Sequence, residues 1–336
     1  MAQPILIQLI RAGATAGVHS HLEREPDSVH VRDDDGSSCV HWAALCGRLG
    51  LLQHLELHGA PLDARVEESG MTPMHWACTS GRLNVVRYLI DAGVDIDAAD
   101  LRRTTPLMLA VQYHHDVLLA WLLKHGADPL LLDNEGDSAL HWAAYKNNTM
   151  ALTLICGADG VGDAAVTAQD NFGSNVLHLA ATTGASGAAQ WLMVHPEARR
   201  MLGVEDRKGR TPLTLAVEKG FSDVRSALTA RDDDEAQTLA QGRAWLRQLG
   251  EGAGAWWVGS LAALDDVVGE LAWEWRASGE VSPPPPSGPP SGRDMEMRPV
   301  AVGLGGGGDR GLPPGVEAAR ETEVVVARFA PPPQYG

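Results

Sequence analysis

Cysteine is scarce: four residues in 336 (Cys39, Cys46, Cys78 and Cys156), with no C-x-x-C pair among them. That argues against a disulfide framework and predicts reduced, mostly buried thiols in an intracellular protein. Positive charge is also short, with 27 Lys and Arg against 43 Asp and Glu and a formal net charge of −16. Nucleic acids and anionic membranes need clustered cations, so none of these is expected as the main partner. No run of about 18 apolar residues exists to span a bilayer. The nearest approach, "AWWVGSLAALDDVVGELAWEW", is broken by Asp265, Asp266, Glu270 and Glu274. "PILIQLI" near the start is short and has no basic residue before it, so a signal peptide is not expected. The sequence lacks G-x-x-x-x-G-K-S/T, H-E-x-x-H and G-x-S-x-G. Gly303, Gly305 and Gly308 spell G-x-G-x-x-G, but no strand precedes them and no helix follows. Asn147-Asn148-Thr149 fits a glycosylation sequon inside an intracellular-looking stretch. No catalytic residue, cofactor or metal site is expected.

What the chain does have is self-similarity. "DDGSSCVHWAALCG", "ESGMTPMHWACTSG", "LRRTTPLMLAVQYH", "NEGDSALHWAAYKN", "NFGSNVLHLAATTG" and "RKGRTPLTLAVEKG" align at Ser38, Thr72, Thr105, Ser138, Asn175 and Thr211, with spacings of 34, 33, 33, 37 and 36. Each residue type has a physical task. A glycine such as Gly70 allows the tight turn before a helix. Pro73, Pro106 and Pro212 stand where a missing N–H is harmless. Thr72, Thr105 and Thr211 can cap the helix N-terminus, and a second glycine such as Gly81 ends it. The following segments are apolar at helical spacing, as in Val85, Val86, Leu89 and Ile90. One such helix pair cannot bury its apolar face alone, so the units must stack. The third copy is irregular: Arg103 replaces the turn glycine, Met108 the histidine and His114 the helix-ending glycine. Both glycine losses are expected to reduce stability.

The pattern T-P-L-H-x-A-A at a period near 33 resembles the ankyrin repeat. The resemblance implies an all-α solenoid of helix-turn-helix pairs with β-turn loops. Residues 1–32 are expected to form a degenerate N-terminal capping repeat and residues 33–231 six ankyrin repeats. Extra residues near 160–166 and 196–204 fall between units, where loops tolerate insertion. In ankyrin repeats the His position, here His41, His75, His141 and His178, hydrogen-bonds across the turn between neighbours. Trp42, Trp76 and Trp142 have two readings: core filling, or indoles that reach the concave surface to receive a partner.

Repeated His-Trp-Ala with an extra residue between two units is similar to the ankyrin half of the Asp-His-His-Cys palmitoyltransferases. There a cytosolic array recruits substrate proteins to a separate membrane-embedded catalytic half. The sequence departs from that family: "HHD" at His114 to Asp116 is not its motif, and no Cys-rich segment follows. Acyl transfer by this chain is therefore not expected. Trp76 matches a tryptophan of the family's peptide groove, but Cys46 stands where an asparagine is expected. The reading is a non-catalytic module binding a protein or peptide on the concave ankyrin surface. The alternative is the substrate-recruiting region of a palmitoyltransferase whose catalytic half is absent. The candidate partner-binding residues are Trp76, Cys46, Tyr113, Tyr145, Trp42, Trp142, Lys146, Met71, Arg102 and Phe172. The expected location is cytoplasmic, or the cytosolic face of an internal membrane through a partner or a missing membrane domain.

Beyond Arg231 the composition changes. Residues 232–277 form an expected amphipathic helical segment, with Trp257, Leu261, Leu264, Val268, Leu271 and Trp275 in steps of four and three. Packing on the last repeat is its first reading and weak self-association through 257–275 the second. Residues 278–336 are Pro/Gly-rich and expected to be a disordered tail.

Overall fold

The computed structural model describes residues 4–158 and 160–230. The amphipathic segment, the self-association seam and the tail anticipated beyond residue 231 lie outside the described residues. Helices arrive in pairs: α1 (Ile5–Ala12) with α2 (Thr15–Arg24), α3 (Cys39–Leu45) with α4 (Leu49–Leu57), and α5 (Pro73–Thr79) with α6 (Leu83–Asp91). Then come α7 (Pro106–Gln112) with α8 (Asp116–Lys124), and α9 (Ala139–Tyr145) with α10 (Thr149–Cys156). After α11 (Asp163–Thr167), α12 (Val176–Thr183) pairs with α13 (Ser186–Val194); after α14 (Pro196–Arg200), α15 (Pro212–Lys219) pairs with α16 (Ser222–Thr229). The first helices stack in the order α1, α3, α5, α7, α9, α12, α15, each on the next. No strand is formed among the described residues.

These short helices exist because they are stacked. Helices of seven to nine residues are too short to be stable alone in water. Stacking leaves Ala43, Ala44, Ala77, Ala110, Ala143, Ala144, Ala180 and Ala181 buried, and a methyl group at those positions lets neighbouring helices approach closely. The second helices contribute Leu52, Leu55, Val86, Leu89, Leu119, Leu122, Leu152, Ile155 and Leu192, all sealed from water. The four cysteines are free.

The turns between units are tied to one another. The backbone N–H of Leu101 donates to Ser69, that of Asn134 to Arg102, that of Asn171 to Glu135 and that of Arg207 to Phe172, each at 2.9 Å. Arg32 and Arg65 add side-chain clips, their Nη1 atoms donating to the carbonyls of Arg65 at 2.9 Å and Ala99 at 2.7 Å in the next unit. The loops anticipated between units are not structureless. Asp163 and Pro196 open the short helices α11 and α14, which touch each other.

The irregular third unit pays for its missing glycines in backbone conformation. Arg103 and His114 sit at φ of 61° and 57°, left-handed values that L side chains resist. Both side chains are exposed, so nothing in the packing demands them. Arg103→Gly and His114→Gly are each expected to raise the unfolding free energy by about 1 kcal/mol. Thermal or urea unfolding of the two variants measures it.

Candidate protein-interaction site

The histidines are fasteners. In each full copy the ring stands three residues after the cap residue, at the start of the first helix. Nδ1 accepts the cap residue's backbone N–H: Ser38 to His41 at 3.2 Å, Thr72 to His75 at 3.1 Å, Ser138 to His141 at 3.3 Å and Asn175 to His178 at 3.2 Å. An Nδ1 that accepts leaves the proton on Nε2. That proton goes to a carbonyl of the following unit: Met71 at 3.1 Å, Thr104 at 3.0 Å and Arg210 at 3.0 Å from His41, His75 and His178. His141 breaks the series. Its Nε2 is sealed from water with no acceptor in hydrogen-bond geometry. The Ala168 carbonyl acts on its charge from outside that geometry. The insertion carrying α11 lies at this junction. Burial holds His41, His75 and His141 down at about 4, so these rings are neutral fasteners, not general bases at neutral pH. Among the described residues no group of three His, Cys, Asp or Glu side chains can hold a metal ion.

The tryptophans are mostly buried. Trp42 is 1% and Trp76 4% exposed, and their rings meet edge to face at 5.4 Å. The His41 ring lies against Trp76 at 5.2 Å. Trp142 is half-buried and meets Tyr145 edge to face at 5.6 Å, with the Lys146 ammonium 5.6 Å above the Tyr145 ring. The indoles differ in one respect. Trp42 Nε1 donates to Asp33 at 2.8 Å and Trp142 Nε1 to Asp133 at 3.0 Å. In the second copy the turn is one residue longer and Val66 occupies the aspartate's place, its N–H bonded to Met71 as that of Asp33 is to Ser37. Trp76 therefore has no carboxylate to receive its N–H. Its Nε1 has no acceptor among the described residues, and the residue is 4% exposed.

The remaining candidates fall into two sets. Cys46, 8% exposed, and Met71 are buried in the same region as Trp42 and Trp76. Tyr113 is half-buried and stacks on His115 at 6.4 Å. Arg102 and Phe172 stand at the turns, exposed, and their carbonyls receive the next turn's N–H. The structure thus brings Trp42, Trp76 and Cys46 together, and separately Trp142, Tyr145 and Lys146.

One feature of the turns escaped the sequence reading. The position before the cap residue is Ser37, Thr104, Ser174 or Arg210 in four other copies, each compatible with the aspartate four residues earlier, and Met71 in the second, where Val66 replaces the aspartate. Arg210 is the clearest, with Nη2 2.7 Å from Asp206 Oδ2. In the fourth copy the position is Asp137, 7% exposed, against Asp133. Burial, then Asp133, Asp170 and Glu135, push its carboxyl up to about 8. Asp137 Oδ1 has no hydrogen-bond partner. A folded-state value above the unfolded one favours the protonated native state, so this group destabilises the fold as pH rises from about 4 to 8. Asp137→Ser is expected to stabilise the protein by about 2 kcal/mol at pH 8 and scarcely at pH 4. Paired unfolding curves at the two pH values check it.

Two family models match the chain: ankyrin repeats in three copies over residues 6–100, and ankyrin repeats in many copies over 89–143 and 162–220. The chain is 34% identical over 221 residues to "Probable protein S-acyltransferase 23" of Arabidopsis thaliana, covering 65% of this chain and 40% of that protein. It is 29% identical over 226 residues to "Palmitoyltransferase ZDHHC13" of Homo sapiens, covering 58% and 30%. It is 29% identical over 124 residues to "B-cell lymphoma 3 protein homolog" of Mus musculus, covering 37% and 27%. The chain thus spans less than half the length of these relatives. No helix among the described residues is long and apolar enough to cross a membrane. Ankyrin repeats are in general protein-interaction modules and are not themselves catalytic. With matches spanning more than half of its residues and histidine fasteners joining its stacked helix pairs, the chain belongs to the ankyrin-repeat family.

Proposed function

We propose that this chain is a non-catalytic module that binds a protein or peptide on the face built by its first helices, centred on Trp76. The unclaimed Trp76 N–H carries the reading. An indole seated against Trp42 has a fixed direction, and its open N–H can donate to a backbone carbonyl of an extended peptide. A pre-positioned donor loses little conformational freedom on binding. Tyr113, Tyr145, Trp142 and Lys146 extend the surface along the stack, and Met71, Arg102 and Phe172 line its turn edge. Cys46 completes the wall beside Trp42. The module acts in the cytoplasm, or at the cytosolic face of an internal membrane through a partner.

The test is affinity capture with residues 1–231 as bait, followed by titration of the captured partner against Trp76→Ala and Tyr113→Ala. Each substitution is expected to weaken binding about tenfold or more. Unchanged affinity with an intact circular-dichroism spectrum rejects the site.

The palmitoyltransferase relatives favour a second reading, in which the same face recruits substrates to a catalytic half encoded with it. Sequencing the transcripts that carry residues 1–231 separates the two. A Cys-rich, membrane-spanning continuation supports the second reading, and its absence from all of them supports the free-standing module.

A further inference from the structure

Arginines gather beside Cys46 in a chain that otherwise carries excess acid. Arg48 and Arg82 occupy the same place in successive units, immediately after the glycine that ends the first helix. Each lies on the preceding unit's equivalent glycine. A methyl group built on Gly13 would come within 2.5 Å of Arg48 Nη2, and one on Gly47 within 2.8 Å of Arg82 Cδ. Further along the stack His115 and Phe221 hold this place, against Gly81 and Gly184.

Their partners differ. His115 Nε2 donates to the Thr79 carbonyl at 3.0 Å, and Arg82 Nε to the Leu45 carbonyl at 3.2 Å, the same contact one unit apart. Arg48 breaks the ladder: its Nε is buried and finds no acceptor. Neither Arg48 nor Arg82 pairs with a carboxylate among the described residues. The third arginine, Arg11, lies with its guanidinium carbon 4.5 Å from the centre of the Trp42 ring. All three cations act on the Cys46 thiol, pulling its pKa down against the burial that raises it. Arg48 and Arg82 also repel each other, which adds to the desolvation that lowers the pKa of Arg82. Two half-buried guanidinium groups in successive units, neither paired with a carboxylate among the described residues, are stabilised by an arriving anion, because charge-assisted hydrogen bonds are stronger than neutral ones.

We propose that Arg48 and Arg82, flanked by Arg11 on Trp42, form an anion-binding notch that receives an aspartate or glutamate side chain of a partner peptide. The proposal deepens the interaction reading and rests on it for biological meaning. The notch adjoins the Trp42–Trp76 pair, so a peptide donating a carbonyl to Trp76 Nε1 and a carboxylate to the arginines would satisfy both. The net charge of −16 makes the preference selective. Acidic segments are repelled from the rest of the surface and attracted only where cations outnumber carboxylates.

The experiment uses the full chain and three synthetic probes: acetylated hexaglutamate amide, its hexaglutamine counterpart, and a hexapeptide with one phosphoserine among glutamines. Calorimetry gives affinities, and arginine-selective nitrogen-15 labelling reports the Nε–H resonances of Arg48 and Arg82. Hexaglutamate is expected to bind about tenfold more tightly than hexaglutamine and to move both resonances. Arg48→Gln with Arg82→Gln should remove that difference. Equal binding of the glutamate and glutamine peptides to the unaltered protein, or an unmoved Arg48 resonance, overturns the notch without depending on any variant. Tighter binding of the phosphoserine probe overturns the carboxylate assignment. Because no natural partner enters this experiment, failure to capture one leaves its outcome readable.

Discussion

His75→Ala lowers the unfolding free energy by about 4 kcal/mol, the largest loss expected from a single substitution among the fasteners. The ring is fully buried, and its two nitrogens satisfy the Thr72 N–H at 3.1 Å and the Thr104 carbonyl at 3.0 Å. Alanine leaves both groups buried and unpaired, at roughly 1–3 kcal/mol each, and opens a cavity besides. His75→Met is the instructive control, because the third unit carries Met108 at this position. There the cap Thr105 Oγ1 still accepts the Met108 N–H at 3.3 Å. Methionine fills the volume without making the cross-unit bond, so its effect should be about half that of alanine. Hydrogen exchange localises the damage. Protection should fall first where α5 meets α7, because each unit is held mainly by its neighbours. Uniform loss across all pairs would contradict the fastener role.

The second large effect is acid lability. His41, His75 and His141 fall from 6.5 to about 4 on folding, chiefly through burial. A base whose folded value is depressed binds fewer protons in the native state. Its contribution is fully present above pH 6.5 and is lost as pH falls towards 4. Each ring then withdraws on the order of 3 kcal/mol. Asp137, raised to about 8, works in the opposite sense and recovers part of the loss. Glu135, raised to about 7 chiefly by burial, acts with Asp137, as do Asp97, Asp100, Asp133 and Asp170, each also raised by burial. The three deeply buried histidines outweigh them, so the melting temperature should drop between pH 6.5 and 4.5. His75→Met should flatten the profile. A melting temperature constant over that range would reject the assignment of neutral, Nε2-protonated rings.

The fold was legible because its parts recur. His41, His75, His141 and His178 stand at one position of a repeating pattern, and a residue that returns with the period serves the period. The cross-turn hydrogen bond expected of them is present for three and missing for His141. The exception falls at the junction that carries the inserted α11, and periodicity does not encode it. The inserted residues near 160–166 and 196–204 read as loops because neither stretch is long enough for a periodic signal, although Asp163 and Pro196 are ordinary helix openers. The site was less legible. The sequence marks Trp42, Trp76 and Trp142 as equivalents, yet their N–H groups have different fates. The difference comes from Val66 standing where Asp33 and Asp133 stand, and it emerges only when the longer second turn is aligned by its backbone hydrogen bonds. The orphaned Arg48 Nε was invisible in sequence, because it depends on how its side chain lies on the preceding unit.

The missing rung at His141 has a mechanical consequence. Tension applied along a stack loads every junction in series, and the joint with the fewest cross-links ruptures first. The two joints that flank α9 both lack the imidazole rung: Met108 stands at the fastener position of the joint with α7, and His141 Nε2 finds no acceptor at the joint with α12. Stretched from its ends, the array would lean at those two joints on other ties, such as the Ala188 N–H on Asn147 Oδ1 at 2.7 Å and Trp191 Nε1 on Thr153 Oγ1 at 3.0 Å.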